Sequence, residues 1–200
     1  MKILAMEIST LAGSIAVAEG GRLVAERRFA CDRGRGSEVF AALAATRPAW
    51  KGAEIIAVGI GPGSYNGLRI SCAIAASLQM ATGAAIRISP SPCLLPTEET
   101  HFLVCGDARG GRAWCAEVRR RRLCGEVALL PYEEVGKLAG GALPVWRTGP
   151  LPGGEEIHPC APEAAVLALL APDLPTTEVG RIEPIYLKPP HITMPRQTAP

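Results

Sequence analysis

Ile55-Ile56-Ala57-Val58-Gly59-Ile60-Gly61-Pro62-Gly63-Ser64-Tyr65-Asn66-Gly67-Leu68-Arg69-Ile70 is the stretch on which the fold turns. It opens with an unbroken apolar run from Ile55 to Ile60, the pattern of a strand covered on both faces in a parallel sheet. The run gives way to a loop of glycine, proline and small residues. A helix is then expected from about Leu68 to Thr82, closed by Gly83 as its C-cap. A covered strand feeding a helix through so short a loop is half of a crossover connection, so the strands flanking that helix should run parallel.

Working outward, Lys2 to Ile8, Gly13 to Ala18 and Arg22 to Phe29 are β-like runs, with Glu19-Gly20-Gly21 making a hairpin turn between the last two. Ser37 is placed to cap a helix whose Phe40, Leu43 and Ala44 share one face and which should end before Pro48. Ile86 to Ile88 is a further short strand. Three meandering strands followed by helix, strand, helix, strand is the element order of the ribonuclease-H-like α/β fold. Ser89 to Glu99, with Pro90, Pro92 and Pro96, reads as a boundary, after which the pattern begins again. Strands are expected at His101 to Cys105, Ala113 to Val118 and Glu126 to Leu130, then a helix at Tyr132 to Leu138. A short strand at Pro144 to Arg147 and an apolar helix at Pro162 to Ala171 complete the set. A tandem of two such lobes, 1–98 and a reduced 99–200, is the architecture of the actin-like ATPase superfamily. The tail from Pro184 to Pro200 should be extended, with Ile185 to Leu187 its only stretch apolar enough to dock.

Composition narrows the function. Twenty-one basic against 19 acidic residues leave a net charge of +2, and the isoelectric point near 8.2 is only mildly basic, so a charge-driven nucleic-acid binder is not indicated. With 48% hydrophobic residues and a mean hydropathy of +0.19, the chain can build a sizeable core. No apolar run approaches a membrane span, and Glu7 interrupts the run that would otherwise resemble a leader. A soluble, unprocessed cytoplasmic protein is expected. The seven cysteines are scattered and form no CxxC pair, which suits thiols better than a disulfide framework or a zinc site. His101, His158 and His191 lie far apart, so no metal site is expected.

Two acidic turns carry potential chemistry: Glu7-Ile8-Ser9-Thr10, and Asp107-Ala108-Arg109-Gly110-Gly111. Active ATPases of this superfamily hold phosphate and water-bound Mg²⁺ at such places, which makes Glu7, Ser9, Thr10 and Asp107 the candidates for nucleotide binding. The same residues are equally those of tight turns. Gly61 to Arg69 is either an anion site at a helix start or a structural turn using glycine's freedom. It lacks the Lys-Ser/Thr pair of a Walker-type NTPase. Along the helix, Gly67, Ser71 and Ala75 form one small-residue face and Ala73, Ser77 and Ala81 another. One must pack on the sheet, and the other is either free for a partner or covered within the monomer. Arg119 to Arg122 is a solvated hairpin end or a contact for RNA phosphate.

Gly59 to Ile70 resembles the GxGPGSFTGLRIG stretch of the bacterial TsaB family, also called YeaZ. Lys2-Ile3-Leu4-Ala5 with the following Ser9-Thr10, Asp107-Ala108-Arg109, and Glu183-Pro184-Ile185-Tyr186-Leu187 match in the same order. The chain departs from the family at Glu7-Ile8-Ser9-Thr10, where Asp-Thr-Ser/Ala-Thr is usual, at Gly36-Ser37-Glu38 for His-Ser-Glu, and at Tyr65-Asn66 for Phe-Thr. The resemblance implies a non-catalytic scaffold, without cofactor, in the machinery that makes threonylcarbamoyladenosine in tRNA. It further implies pairing with the subunit TsaD, joined by the ATPase TsaE, homodimers when TsaD is absent, and tRNA contact only through the complex. The pairing surface is built from the first two helices, here Ser37 to Arg47 and Leu68 to Thr82. Val39, Leu43, Leu68, Ile70, Ala73, Ile74 and Ser77 are the expected contact residues. The alternatives are an ATP-dependent kinase or carbamoyl-transferring enzyme using Glu7 and Asp107, and a glycoprotease-like peptidase. The peptidase lacks any Ser-His-Asp order or Cys-His spacing in its favour.

Overall fold

The computed structural model describes residues 1–31 and 36–187; the expected extended run past Leu187, with His191, lies outside the described residues. The first half comprises β1 (Lys2–Glu7), β2 (Ala12–Glu19), β3 (Arg22–Ala30), α1 (Ser37–Trp50), β4 (Ile55–Gly59), α2 (Tyr65–Thr82) and β5 (Ala85–Ser89). Its strands lie in the order β3-β2-β1-β4-β5. β1 and β3 pair antiparallel with β2, while β4 runs parallel to both β1 and β5, as the crossover argument requires. The second half holds β6 (His101–Asp107), β7 (Arg112–Arg119), β8 (Arg122–Leu123), β9 (Ala128–Pro131), α3 (Tyr132–Leu138), β10 (Val145–Arg147) and β11 (His158–Pro159). Here β9-β7-β6-β10-β11 repeats the first order. What is reduced is the helix between the fourth and fifth strands, replaced by the irregular segment between Arg147 and His158.

Alternation along the strands divides each sheet into two cores. Leu4, Met6, Ile8, Ile15, Val17, Ile56 and Val58 face α1 and α2. Ile3, Ala5, Ala16, Ile55 and Ala57 face the opposite way, onto α4 (Ala164–Leu170) through Ala164, Leu167 and Ala168. The alanines let α4 come close, and full burial of a side chain such as Leu167 contributes roughly 1.5–3 kcal/mol. The division at 98/99 is therefore corrected at its far end: α4 packs on the first sheet, and β12 (Thr176–Thr177) extends that sheet beyond β5. The apolar surface that the alanines and leucines of α4 meet is the face of the first sheet opposite α1 and α2.

Four local expectations change. α1 runs through Pro48 to Trp50, because Trp50 packs against the core and its indole N–H donates to the Leu43 carbonyl at 3.0 Å. Ser37 is the first helical residue and makes no cap, the N-cap being Gly36. α2 begins at Tyr65 because Ser64 caps it, its hydroxyl accepting from the Gly67 N–H at 3.3 Å. The Ser89 to Glu99 boundary is a buried plug: Leu94 enters the first lobe's core, while Cys93 and Leu95 enter the second's.

Candidate functional site

β1 ends at Glu7, and its carboxylate is sealed inside the protein. One oxygen accepts from the Ser9 N–H at 2.7 Å and the other from the Ser91 hydroxyl at 2.8 Å. That hydroxyl in turn accepts from the Gly61 N–H at 2.9 Å, and Gly61 sits in left-handed conformation. Burial outweighs these donors and raises the Glu7 pKa above the usual carboxylate range. The glycine loop closes over this turn. The Ser64 N–H donates to the Ser9 carbonyl at 2.7 Å, and a Cβ at Gly59, Gly63 or Gly67 would overlap Glu7, Ser9 or Ile8. Thr10 spends its hydroxyl on closing the turn with Ala12. In the second lobe, one Asp107 oxygen accepts from the Arg109 N–H and the Tyr132 hydroxyl, both at 2.7 Å. Glu7 and Asp107 thus hold their own turns, and in this form Glu7 presents no oxygen to a metal-bound water. A groove of about 510 Å³ beside the first turn is bordered by Leu11, Phe29 and Pro162. Its cation, Arg28, is held by both oxygens of Glu163 at 2.6 and 2.9 Å. Among the described residues no group of three or more His, Cys, Asp or Glu side chains could hold a metal, and no helix is long and apolar enough to cross a membrane.

The two small-residue faces of α2 separate as the spacing demands. Gly67, Ser71 and Ala75 are buried against the sheet, with Gly67 on the Ile8 carbonyl. Ala73, Ser77 and Ala81 are exposed, next to Met80 at 80% exposure. On α1 the outward residues are Phe40, 58% exposed, and Ala41, Ala44 and Ala45. Of the expected contact residues, Ala73 and Ser77 face outward, and Ile70 and Ile74 are half-buried at the helix flanks. Val39, Leu43 and Leu68 are corrected to core positions, at 3%, 8% and 1% exposure. Val39 and Leu43 hold α1 on the sheet, and Leu68 lies against Gly61 of the glycine loop. Phe40 and Met80 were missed because a large apolar residue in an amphipathic helix reads as core unless the inward face is already known.

Among the described residues, the C-terminal stretch as far as Leu187 does not cover this face. Val179 and Ile182 pack at the edge of the core, the Ile185 N–H donates to the Ile60 carbonyl at 2.8 Å, and Leu187 reaches the second lobe's core. Tyr186 packs against Tyr65 with ring centroids 5.3 Å apart and planes tilted by 43°, while Arg69 lies over the Tyr65 ring and donates to its hydroxyl at 2.9 Å. The stretch therefore runs beside the start of α2, on the Tyr65 and Arg69 flank. The arginine run is a hairpin end, as one reading had it, except that Arg121 turns inward. Its guanidinium donates to the carbonyls of Cys93, Leu95 and Thr97.

Two ribonuclease-H-like lobes, each with the 3-2-1-4-5 strand order, with helix α4 returning to the first sheet, define the actin-like fold class. No protein-family model and no curated protein matches the chain. Solved structures do. An uncharacterized protein from Pseudomonas aeruginosa with similarity to peptidase YEAZ superposes with a TM-score of 0.73 at 22% identity, over 94% of this chain and 99% of that one. YeaZ from Pseudomonas aeruginosa superposes at 0.72 and 23% identity, over 93% and 99%. The chain has the YeaZ fold across nearly its whole described length.

Proposed function

We propose that this chain is a TsaB-type scaffold subunit of the tRNA threonylcarbamoyladenosine-forming complex. It acts without catalysis of its own by offering the outward side of α1 and α2 to TsaD, with TsaE joining the pair. The observation that carries the reading is the row Ala73, Ser77 and Ala81 beside Met80, exposed among the described residues. Small residues let a partner helix approach closely, and Met80 and Phe40 supply apolar area that a monomer would ordinarily bury. A standard interface of this kind removes about 1,200–2,000 Å² from water. The full-length superposition on YeaZ structures and the match at Gly59 to Ile70 support the same reading.

Glu7 weighs against the ATP-dependent enzyme: its carboxylate is buried under the glycine loop with each oxygen hydrogen-bonded by the protein, so it is not open to a ligand. The deciding experiment is co-purification with TsaD. Ala73→Trp and Ser77→Trp should keep the fold and lose the partner. Retention of TsaD by both variants overturns the proposal, as does tight Mg-ATP binding by the isolated chain in calorimetry.

A further inference from the structure

Cys105 on β6 and Cys115 on β7 stand directly opposite each other in the antiparallel ladder. Pairs Ala108/Arg112 and Thr100/Arg120 in the same register are hydrogen-bonded, at 2.9 and 2.7 Å. Bonded and non-bonded pairs alternate along such a ladder, so Cys105/Cys115 is a non-bonded pair. The backbone agrees, for the Cys105 carbonyl accepts from the Thr148 N–H on the β10 side, away from β7. Non-bonded pairs bring Cα atoms to about 4.5 Å, inside the range that a disulfide spans. The sulfurs already touch, Sγ to Sγ being 3.4 Å with Cys105 as donor.

We propose that Cys105 and Cys115 are an oxidation site that closes reversibly to a cross-strand disulfide, with hydrogen peroxide as oxidant. Cys115, 8% exposed, is the sulfur reached first, and Cys105, at 0%, is the resolving partner. The order suits their chemistry, since the S–H donated by Cys105 holds the Cys115 thiol below its ordinary range. The Cys115 thiolate attacks one peroxide oxygen, the O–O bond breaks, and the hydroxide released leaves as water with the proton Cys115 gave up. Cys105 Sγ then attacks the sulfenic Sγ of Cys115. The S–S bond forms, the S–O bond breaks, and hydroxide departs as a second water with the Cys105 proton. Two thiols and one peroxide become one disulfide and two waters, and an added dithiol reverses the change.

Trypsin tests this directly, because Arg109 and Arg112 lie between the two cysteines. After hydrogen peroxide treatment of the full chain and digestion without reductant, Ala113–Arg119 should be found joined to Ile88–Arg109 and released by dithiothreitol. The joined species should fall at least tenfold in Cys105→Ser and Cys115→Ser and persist in Cys93→Ser, which separates Cys105 from the other cysteine of that peptide. Cys105→Ser should also accumulate a dimedone-trapped Cys115 that the wild type does not. The proposal is overturned if wild-type Ala113–Arg119 is recovered unlinked, or joined to another cysteine, at peroxide levels that oxidise exposed Cys124. The wild-type digest decides even where a serine variant does not fold.

Discussion

Gly67 rests its Cα against the carbonyl oxygen of Ile8, and a side chain there would overlap that oxygen. This contact locks the first turn of α2 onto the end of β1 and so sets which side of the helix remains outside. Gly67→Ala would ordinarily help a helix by up to about 1 kcal/mol. Here the methyl must displace backbone, and a loss of about 1–3 kcal/mol is expected instead, read as a lowered Tm.

Glu7 makes stability depend on pH. Its folded pKa is raised, so the folded state favours the protonated carboxyl, and the contribution is complete below the ordinary carboxyl value of 4.5 and lost as pH rises through the higher folded one. Glu7→Gln imitates the protonated form. Its stability relative to wild type should grow as pH rises above 4.5 in denaturant titrations. Glu7→Ala strands the Ser9 N–H and the Ser91 hydroxyl and should cost roughly 2–4 kcal/mol below pH 4.5, the cost shrinking as pH rises through the folded pKa.

Arg121 ties the β7–β8 hairpin to the plug between the lobes. Arg121→Ala removes a charged donor from three carbonyls and should cost about 2–4 kcal/mol. Arg121→Lys should recover only part of this, because an ammonium lacks the planar fork. Arg122→Ala, on an exposed neighbour, should stay within about 0.5 kcal/mol. Equal effects at both positions, measured by chemical denaturation, would contradict the assignment.

Outward and inward residues of the helix pair should fail differently. Ser77→Trp should leave Tm nearly unchanged and abolish TsaD pairing, since Ser77 is exposed. Leu68→Ala should cost about 2–5 kcal/mol through the core. Any loss of pairing in Leu68→Ala should then track the loss of folded protein in melting curves.

Much of this was legible locally. The Ile55 to Ile60 run, the glycine loop and the two four-residue repeats on α2 named the strand, the turn and the two candidate faces, because periodicity and turn chemistry act between near neighbours. Ser91 as a partner of Glu7 was not legible, since 84 positions separate them and nothing near Ser91 hints at a carboxylate. Arg121 looked like its exposed neighbours for the same reason.

By itself, then, the sequence determined the order of elements, the repetition of one lobe in the other and the two small-residue faces of α2, one of which had to pack on the sheet. Which face is spare was settled only in three dimensions, when Gly67, Ser71 and Ala75 met the sheet and Ala73, Ser77 and Ala81 met solvent. So was the return of α4 to the first sheet. Local patterns say that a surface must be buried, but what buries it depends on contacts between residues far apart in the chain, and those exist only once the whole core has packed.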